Sequence, residues 1–427
     1  MISQLLKQIW VERRANVWLL LELFGMFVCL FAMIDFFYVK WSNYTEPMGY
    51  DIENTYRLNM KILDDNSPIY VDKESITETK TEEVQKLMTQ IRQHPDVEAV
   101  SFSFFSNPYY YSGFMTMMQV DTVTPEIRVR GRWVTPEYFD VFRVKNHNGE
   151  NIQIPEGMNR QVVLSEKTAK NLFRSANDAT GKLIYGGYGD AFILSEHEST
   201  PAQVVAVSRD FKIEEFGTYS DCFFEILNPV RLNIYIADSD VRTSDICLRV
   251  REGRAKHFEE SFQEEMGDRL RVNNLYVASI TSFDQLRDDM IGKTIRENIN
   301  MMLYITLFAL VTVSLGIFGS FWLRSRQRRS EIGIRMAMGA DKTAIRKEMI
   351  AESLFLMTIA MLPAFIIYIN LLFAEVMDIF RLAFTPGRVA IVLFITLFGM
   401  ASIIIISTLW PANRAASIQA VDALRDE

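Results

Sequence analysis

The 427-residue chain contains only four histidines and three cysteines, which limits the chemistry that it can support. The histidines are dispersed without the spacing of metal ligands, and no Gly-x-Ser-x-Gly motif is present to position a serine nucleophile. Gly292-Lys293-Thr294 resembles the end of a phosphate-binding loop, but Arg287 stands where that loop needs its first glycine. We therefore expect no catalytic residue, metal or cofactor in this chain, and an enzyme is the least favoured functional class.

Positive charge is also scarce where a nucleic-acid-binding surface would need it. Residues 40–298 contain 30 Lys and Arg against 41 Asp and Glu, a net charge of −11, whereas the remainder has a net charge of +3. No basic stripe is available to neutralise phosphates, so nucleic acid is excluded as a partner. An acidic, water-soluble middle lies between apolar, slightly basic ends, which excludes a single soluble domain.

Four apolar stretches are long enough to cross about 30 Å of hydrocarbon, which takes roughly 20 helical residues. They cover residues 16–39, 299–323, 350–373 and 389–410. The second and fourth carry no charge, whereas a buried helix of a soluble protein keeps a polar face. We therefore predict four transmembrane helices.

Two carboxylates, Glu22 and Asp35, interrupt the first of these stretches. An acid inside a membrane span is a functional candidate. The alternative, which we favour, is a hydrogen bond between helices or a side chain that reaches the headgroups. For the cysteines, the sequence leaves open whether Cys222 and Cys247 form a disulfide or are buried separately.

Lys and Arg in the short flanking segments predict the orientation. Residues 324–349 contain eight of them, whereas the loop 374–388 has two arginines against two acidic residues. We predict that both termini and residues 324–349 are cytoplasmic and that residues 40–298 are extracytoplasmic. Residues 1–15 are expected to form an amphipathic helix on the inner surface. The first span is expected to be an uncleaved anchor rather than a signal peptide.

The extracytoplasmic domain, residues 40–281, has the patterns of a mixed α and β structure, and its size favours two lobes. A helix over Thr81–His94, a strand over Val97–Phe105 and a helix N-capped by Ser165 are predicted. Residues 282–298 are predicted to form a stalk helix that begins at Ser282 and continues into the second span.

An aromatic run within this domain is a candidate surface for cargo or an adaptor. The run contains Phe102, Phe104, Phe105, Tyr109, Tyr110, Tyr111 and Phe114. The favoured alternative is a buried hairpin with Asn107-Pro108 at its turn.

The segment between the second and third spans is the most informative. Glu331–Met338 has the pattern of a short helix, Gly339 suits the left-handed position that ends it, and Asp341 suits the N-cap of the next helix. A rigid helix held between two spans could transmit force. The alternative is an ordinary basic loop that only fixes the topology.

This segment, EIGIRMAMGADKTAIRKEMIAESL at residues 331–354, resembles the coupling segment of the MacB/FtsX-type ABC transporter permeases. Residues 410–427, WPANRAASIQAVDALRDE, resemble the closing motif of that family. Segments 134–142, 162–173, 179–184 and 204–212 resemble, in order, the MacB-type periplasmic core domain. The aromatic run is not part of the family pattern.

The resemblance implies an α-helical membrane protein of the bacterial inner membrane. It implies four transmembrane helices, with a large mixed α/β extracytoplasmic domain inserted between helices 1 and 2. Two permeases, as a homodimer or a paralogous heterodimer, would assemble with two ATP-binding subunits that bind ATP and Mg, and the permeases would contact membrane lipids. A periplasmic adaptor and an outer-membrane channel are further expected partners. The implied contact with the ATPase comprises Glu331, Ile332, Gly333, Ile334, Arg335, Met338, Gly339 and Ala340.

In this family, closure of the ATP-binding subunits is passed through the membrane as motion of the extracytoplasmic domains, which is called mechanotransmission. Two kinds of transport remain open: efflux of peptides, toxins or drugs, and LolC/LolE-like extraction of lipoproteins. A second class is an FtsX-like regulator that activates an extracytoplasmic hydrolase or senses a ligand. MacB carries its ATPase fused at the N-terminus, so for this chain we expect a separate ATPase subunit.

Overall fold

The computed structural model describes residues 13–110, 115–121, 124–157, 160–186, 201–238, 243–292, 296–327, 329–373 and 385–416. The chain forms two compact units. One contains residues 1–43 and 296–427, and the other contains residues 44–295. Residues 1–12 of the predicted amphipathic helix, most of the loop 374–388 and most of the C-terminal tail lie outside the described residues, and residues 13–15 belong to the first long helix.

Helices and strands are numbered here in chain order over those residues. The helices are α1 (Arg13–Thr45), α2 (Lys80–Arg92), α3 (Tyr138–Val141), α4 (Glu166–Phe173), α5 (Pro229–Asp238), α6 (Phe258–Met266), α7 (Phe283–Met290), α8 (Arg296–Gln327), α9 (Arg329–Ala337), α10 (Lys342–Phe373) and α11 (Pro386–Ala416). The strands are β1 (Thr55–Ile62), β2 (Val97–Phe104), β3 (Met115–Gln119), β4 (Ile127–Val134), β5 (Gln161–Ser165), β6 (Leu183–Gly186), β7 (Ala202–Ser208), β8 (Cys222–Ile226), β9 (Ser244–Val250), β10 (Arg271–Val272) and β11 (Leu275–Ser282).

The first unit contains four helices that are long and apolar enough to cross a membrane. Their apolar segments are Val17–Thr45, Arg296–Leu323, Lys342–Asn370 and Pro386–Arg414. The four predicted helices are therefore present, and each begins or ends several residues beyond the predicted span. Their shared core includes Leu23, Phe27, Phe31, Leu356 and Ile404. Residues spaced by four, such as Phe27 and Phe31, face this core from one side of α1.

The outward face of α8 is apolar and exposed. Met301, Tyr304, Phe308 and Leu315 are each more than half exposed. An exposed apolar face of this length is the composition expected where lipid replaces water as the solvent. Apolar length and exposed apolar surface together support a membrane environment for this unit.

The second unit is built on one extended sheet with the strand order β10-β11-β1-β9-β2-β4-β3-β6-β7-β5-β8. Strand β8 also pairs in parallel with β4, from Arg130 opposite Cys222 to Val134 opposite Ile226. This extra pairing closes β4, β3, β6, β7, β5 and β8 into a six-stranded ring, which removes their free edges. Strand β4 is therefore shared between an open sheet and a closed ring.

Local sequence signals explain how several of these elements begin. Thr79 and Glu82 form a capping box at the start of α2, and α2 turns Val84, Leu87 and Ile91 into the core. Ser165 caps α4 by accepting a hydrogen bond from the amide of Thr168. The helix predicted over residues 81–94, the strand predicted over 97–105 and the Ser165 cap are confirmed, with boundaries shifted by one or two residues.

The described residues test only the first part of the predicted stalk helix. Ser282 accepts a hydrogen bond from the amide of Gln285, so α7 begins where the sequence indicated. Residues 293–295 lie outside the described residues, and the predicted continuity of the stalk with the second span depends on them.

Candidate functional site

Helix α9 is the short helix predicted between the second and third apolar helices. The chain after it turns at Gly339, whose φ of +96° lies in the left-handed region that glycine adopts without strain. The amides of Gly339 and Ala340 donate to the carbonyl oxygens of Met336 and Arg335 at 3.0 Å. These two bonds close the end of the helix, so the predicted helix and its left-handed glycine are both confirmed.

A small apolar cluster attaches α9 to the first turns of α10. Ile332 and Ile345 are 8% and 4% exposed, and Met336 and Met349 pack against them. Each helix contributes two residues spaced by four, so each pair lies on one helical face. The cluster holds α9 against α10 by burial of apolar side chains from both helices.

Arg335 adds an electrostatic connection between the same two helices. Its Nη2 atom donates to Oε1 of Glu331, and its Nη1 atom donates to Oε1 of Glu348, both at 2.6 Å. The hydrogen bond that Arg335 donates to Glu348 and the charges of both carboxylates raise the pKa of Arg335 above its ordinary value. The Glu331 pair lies within α9, whereas the Glu348 pair joins the two helices. We call the apolar cluster and the Arg335–Glu348 ion pair the clamp, because together they fix α9 to α10.

The opposite face of α9 is exposed and partly apolar. Ile334 is 46% exposed and Met338 is 77% exposed, and their spacing by four places them on the same face. Glu331 and Gly339 are exposed as well, and Ala340 is half-buried. Because Ile332 and Arg335 contact α10 and Gly333 is buried, the eight residues implied by the family resemblance divide into an inner and an outer set.

Asp35, one of the two acids within the first apolar helix, makes an ion pair with Arg388 of α11. Nε of Arg388 donates to Oδ1 of Asp35 at 2.8 Å, and Nη2 donates to Oδ2 at 2.5 Å. The hydroxyl of Tyr368 on α10 also donates to Oδ2, at 3.1 Å. Three helices therefore meet at one buried carboxylate, and the interpretation of Asp35 as a contact between helices is supported.

Glu22, the other acid, lies against α8. Oγ of Ser320 donates to Oε2 of Glu22 at 3.2 Å. A Cβ atom added at Gly316 would lie 1.8 Å from Oε1 of Glu22, so the carboxylate would have to shift if this glycine were replaced. Glu22 therefore also bridges two helices.

Most of the described members of the aromatic run are buried. Phe102 and Phe104 are 1% and 3% exposed and belong to the core beneath α2. Tyr109 is buried as well, while Phe105 and Tyr110 are half-buried. Tyr111 and Phe114 lie outside the described residues.

The favoured hairpin is wrong, because strands β2 and β3 are not neighbours. Strand β4 lies between them and pairs with both. Strand order of this kind is decided by partners far along the chain, which a local pattern does not specify.

Helix α7, which begins the predicted stalk, is hydrogen-bonded to another part of the unit formed by residues 44–295. Nε of Arg287 on α7 and the hydroxyl of Tyr109 both donate to Oε1 of Glu215, each at 2.7 Å. Burial of Tyr109 and the negative charge of Glu215 raise the pKa of its phenol, so Tyr109 stays protonated and remains a donor. A movement of α7 would therefore also displace the loop that carries Glu215.

The cysteines and acids of the described residues give no sign of metal chemistry. Cys222 and Cys247 are both buried free thiols, which answers the question of pairing that the sequence left open. No group of three or more His, Cys, Asp or Glu residues is arranged to hold a metal ion within the described ranges.

Sequence reasoning missed Glu348, Ile345, Arg388 and Tyr368. Ile345 and Met349 carry a detectable signal, since two apolar residues four apart at the start of a helix match the pair on α9. Arg388 and Tyr368 carry no local signal, because their partner Asp35 lies more than 300 residues away.

Comparison with known proteins accounts for most of the chain. Residues 47–256 match the family "MacB-like periplasmic core domain", and residues 303–420 match the family "FtsX-like permease C-terminal". The chain is 23% identical over 316 residues to the macrolide export ATP-binding/permease protein MacB of Shigella sonnei (strain Ss046), covering 71% of the chain and 44% of the relative.

Two further relatives give similar values. The probable export ATP-binding/permease protein MacB of Pseudomonas entomophila (strain L48) is 23% identical over 331 residues, covering 72% of this chain and 44% of its own length. The macrolide export ATP-binding/permease protein MacB 1 of Yersinia pestis bv. Antiqua (strain Antiqua) is 25% identical over 302 residues, covering 69% and 43%. The chain spans less than half the length of these curated relatives.

The two matched families follow each other along the chain in the order that the sequence motifs indicated. The first coincides with the mixed α/β unit, and the second covers most of α8 and the helices that follow it. The chain therefore belongs to the MacB/FtsX-type family of ABC transporter permeases.

Proposed function

We propose that this chain is a permease subunit that couples ATP hydrolysis by an ATP-binding partner to motion of the domain of residues 44–295. That motion drives efflux or extraction of extracytoplasmic cargo. The observation that carries the proposal is the exposed apolar pair Ile334 and Met338 on a helix that the clamp fixes to α10.

The exposed pair suits a protein partner. Apolar anchors that enter a recess on a partner contribute a large share of interface energy. A methionine also adapts its shape to an irregular recess, because its unbranched side chain has three rotatable bonds. We place the contact with the ATP-binding subunit on Ile334, Met338 and the neighbouring exposed Glu331 and Gly339.

The clamp gives this contact a mechanical role. A loop would absorb a push from the partner by changing its backbone angles, whereas α9 is joined to α10 by four apolar side chains and one ion pair. A displacement of α9 is therefore passed to α10. In chain order, α9 also follows α8, which follows the α7 segment attached to Glu215 through Arg287.

The orientation proposed for this mechanism follows from the distribution of basic residues. Residues 324–349 contain eight Lys and Arg, which favours the cytoplasmic side, where ATP is available. Both termini would share that side of the inner membrane. The acidic domain of residues 44–295 would then face the extracytoplasmic space.

Assembly and cargo follow the family resemblance. Two copies of this permease, or this chain and a paralogue, would assemble with two ATP-binding subunits. Two of the three relatives above are named for macrolide export, and peptides, toxins, drugs and lipoproteins are the cargo classes that we propose for this chain. A periplasmic adaptor and an outer-membrane channel would complete an efflux pathway.

The test replaces the exposed pair by charge. Ile334→Glu and Met338→Glu should each weaken binding of the ATP-binding partner by about 30-fold, as expected for loss of a ~2 kcal/mol anchor. Each should also abolish stimulation of ATP hydrolysis. Ile69→Glu is the matched control, since Ile69 is 52% exposed in the other unit and should leave binding unchanged.

The measurements are the affinity of the purified chain for the ATP-binding partner and the ATPase rate of the complex. Wild-type affinity and wild-type ATPase rates in both α9 variants would refute the proposed contact. Both substitutions are on the surface, so folded, monodisperse protein is expected in each case.

A further inference from the structure

Two tryptophans and two arginines form a layered cluster where α8 and α11 leave their apolar segments. The indole rings of Trp322 and Trp410 stack with centroids 4.6 Å apart and an interplanar angle of 15°. The guanidinium of Arg414 lies 4.8 Å from the Trp322 ring and 5.4 Å from the Trp410 ring. Arg326 lies 6.0 Å from the Trp322 ring, so both cations share one indole.

The cluster lies at a boundary between apolar and basic surface. On its apolar side, the ring of Phe318 packs 5.6 Å from Trp410. On its other side, Arg326 and Arg414 are exposed, and Trp410 is 49% exposed. Tryptophan prefers the membrane–water interface, because its indole is apolar over most of its area and has one polar N–H group.

The two guanidiniums lie 6.0 and 4.8 Å from the Trp322 ring. Each is a planar cation whose N–H donors match the oxygens of a phosphate. Two positive charges at the end of an apolar span, beside exposed indoles, are complementary to a lipid phosphate.

We propose that Arg326, Arg414, Trp322 and Trp410 form a binding site for the headgroup of an anionic phospholipid. The phosphate accepts hydrogen bonds from the two guanidiniums, and the acyl chains extend along Phe318 and the apolar face of α8. The site depends on the membrane-spanning placement in the proposed function, and it does not depend on which face of the membrane is cytoplasmic.

The experiment titrates the purified, delipidated full chain with phosphatidylglycerol or phosphatidylcholine of the same acyl composition and counts bound lipids by native mass spectrometry. The unmodified chain should prefer phosphatidylglycerol, and the preference should shrink as salt rises. Arg326→Gln and Arg414→Gln should each weaken phosphatidylglycerol binding by about fivefold, since each basic side chain near the surface contributes about that factor. The double variant should lose the preference.

The matched control is Lys347→Gln, which removes the same charge from an exposed position of α10 and should change affinity less than twofold. Arg326→Lys and Arg414→Lys keep the charge and should retain part of the preference. Soluble glycerol phosphate should bind at least 100-fold more weakly, because it has no acyl chains.

The proposal is overturned if the unmodified chain binds both lipids equally, or if the glutamine variants match Lys347→Gln. Because lipid binding is measured without a partner or ATP, failure of ATPase stimulation would refute the proposed function and leave this result intact.

Discussion

The ion pair between Asp35 and Arg388 supports a quantitative prediction about the helical unit. Both side chains are nearly buried, at 11% and 5% exposed, and Tyr368 donates a third hydrogen bond to the same carboxylate. Removal of Arg388 leaves the carboxylate of Asp35 as an uncompensated charge, which costs about 3–5 kcal/mol for a buried pair. Arg388→Met should therefore shift the unfolding equilibrium by more than 100-fold, and Asp35→Leu, which removes two hydrogen-bond acceptors of Arg388, should destabilise the helical unit as well.

The double variant should lose less stability than the two single variants lose in total. When both charges are replaced by apolar side chains, no buried charge remains, so most of the lost stability should return. Tyr368→Phe removes one hydrogen bond and should cost only about 1 kcal/mol. These differences can be measured by unfolding the full chain in mixed micelles with increasing dodecyl sulfate. Additive losses in the double variant, or single losses below about 1 kcal/mol, would refute the reasoning.

Two further predictions concern charges outside the apolar helices. Arg335→Glu places a third carboxylate beside Glu331 and Glu348, so the clamp should open and partner-stimulated ATP hydrolysis should be lost. A coupled ATPase assay checks this prediction, and normal stimulation would contradict it. Glu225 is buried between Arg160 and Arg231; burial alone would raise its pKa, but the two arginines hold it below the ordinary value of 4.5. Its share of stability should therefore be complete above pH 4.5 and disappear as the pH falls through the folded-state pKa, which thermal melts of the unmodified chain and Glu225→Gln can show.

The parts of the structure that depend on nearby residues were predictable from the sequence. Ser165, Ser282 and Gly339 each occupy the helix-end position that their chemistry favours, because a cap involves only the next three or four residues. The four long apolar helices were predictable for a similar reason, since length and composition are properties of one continuous segment.

The parts of the structure that depend on distant residues were not predictable from the sequence. The carboxylate of Asp35 was correctly favoured as a contact between helices, but its partner Arg388 could not be named from sequence alone. The burial of Phe102 and the absence of a β2–β3 hairpin follow from the insertion of β4 between those strands. The division of the coupling residues into inner and outer sets depends on the turn at Gly339, which brings α9 against α10.

The closed ring of strands has a consequence for the order of folding. All six of its strands, β3 to β8, come from the continuous segment 115–226, so the ring can close as soon as that segment has left the ribosome. Strand β1 can pair only after a much longer segment has been synthesised, because Tyr56 pairs with Leu248 and with Ser282 near the C-terminal end of the domain. Contacts of such long range form slowly and leave strand edges exposed in the meantime. During synthesis, the segment just after α1 is therefore the part of this domain most in need of protection from aggregation.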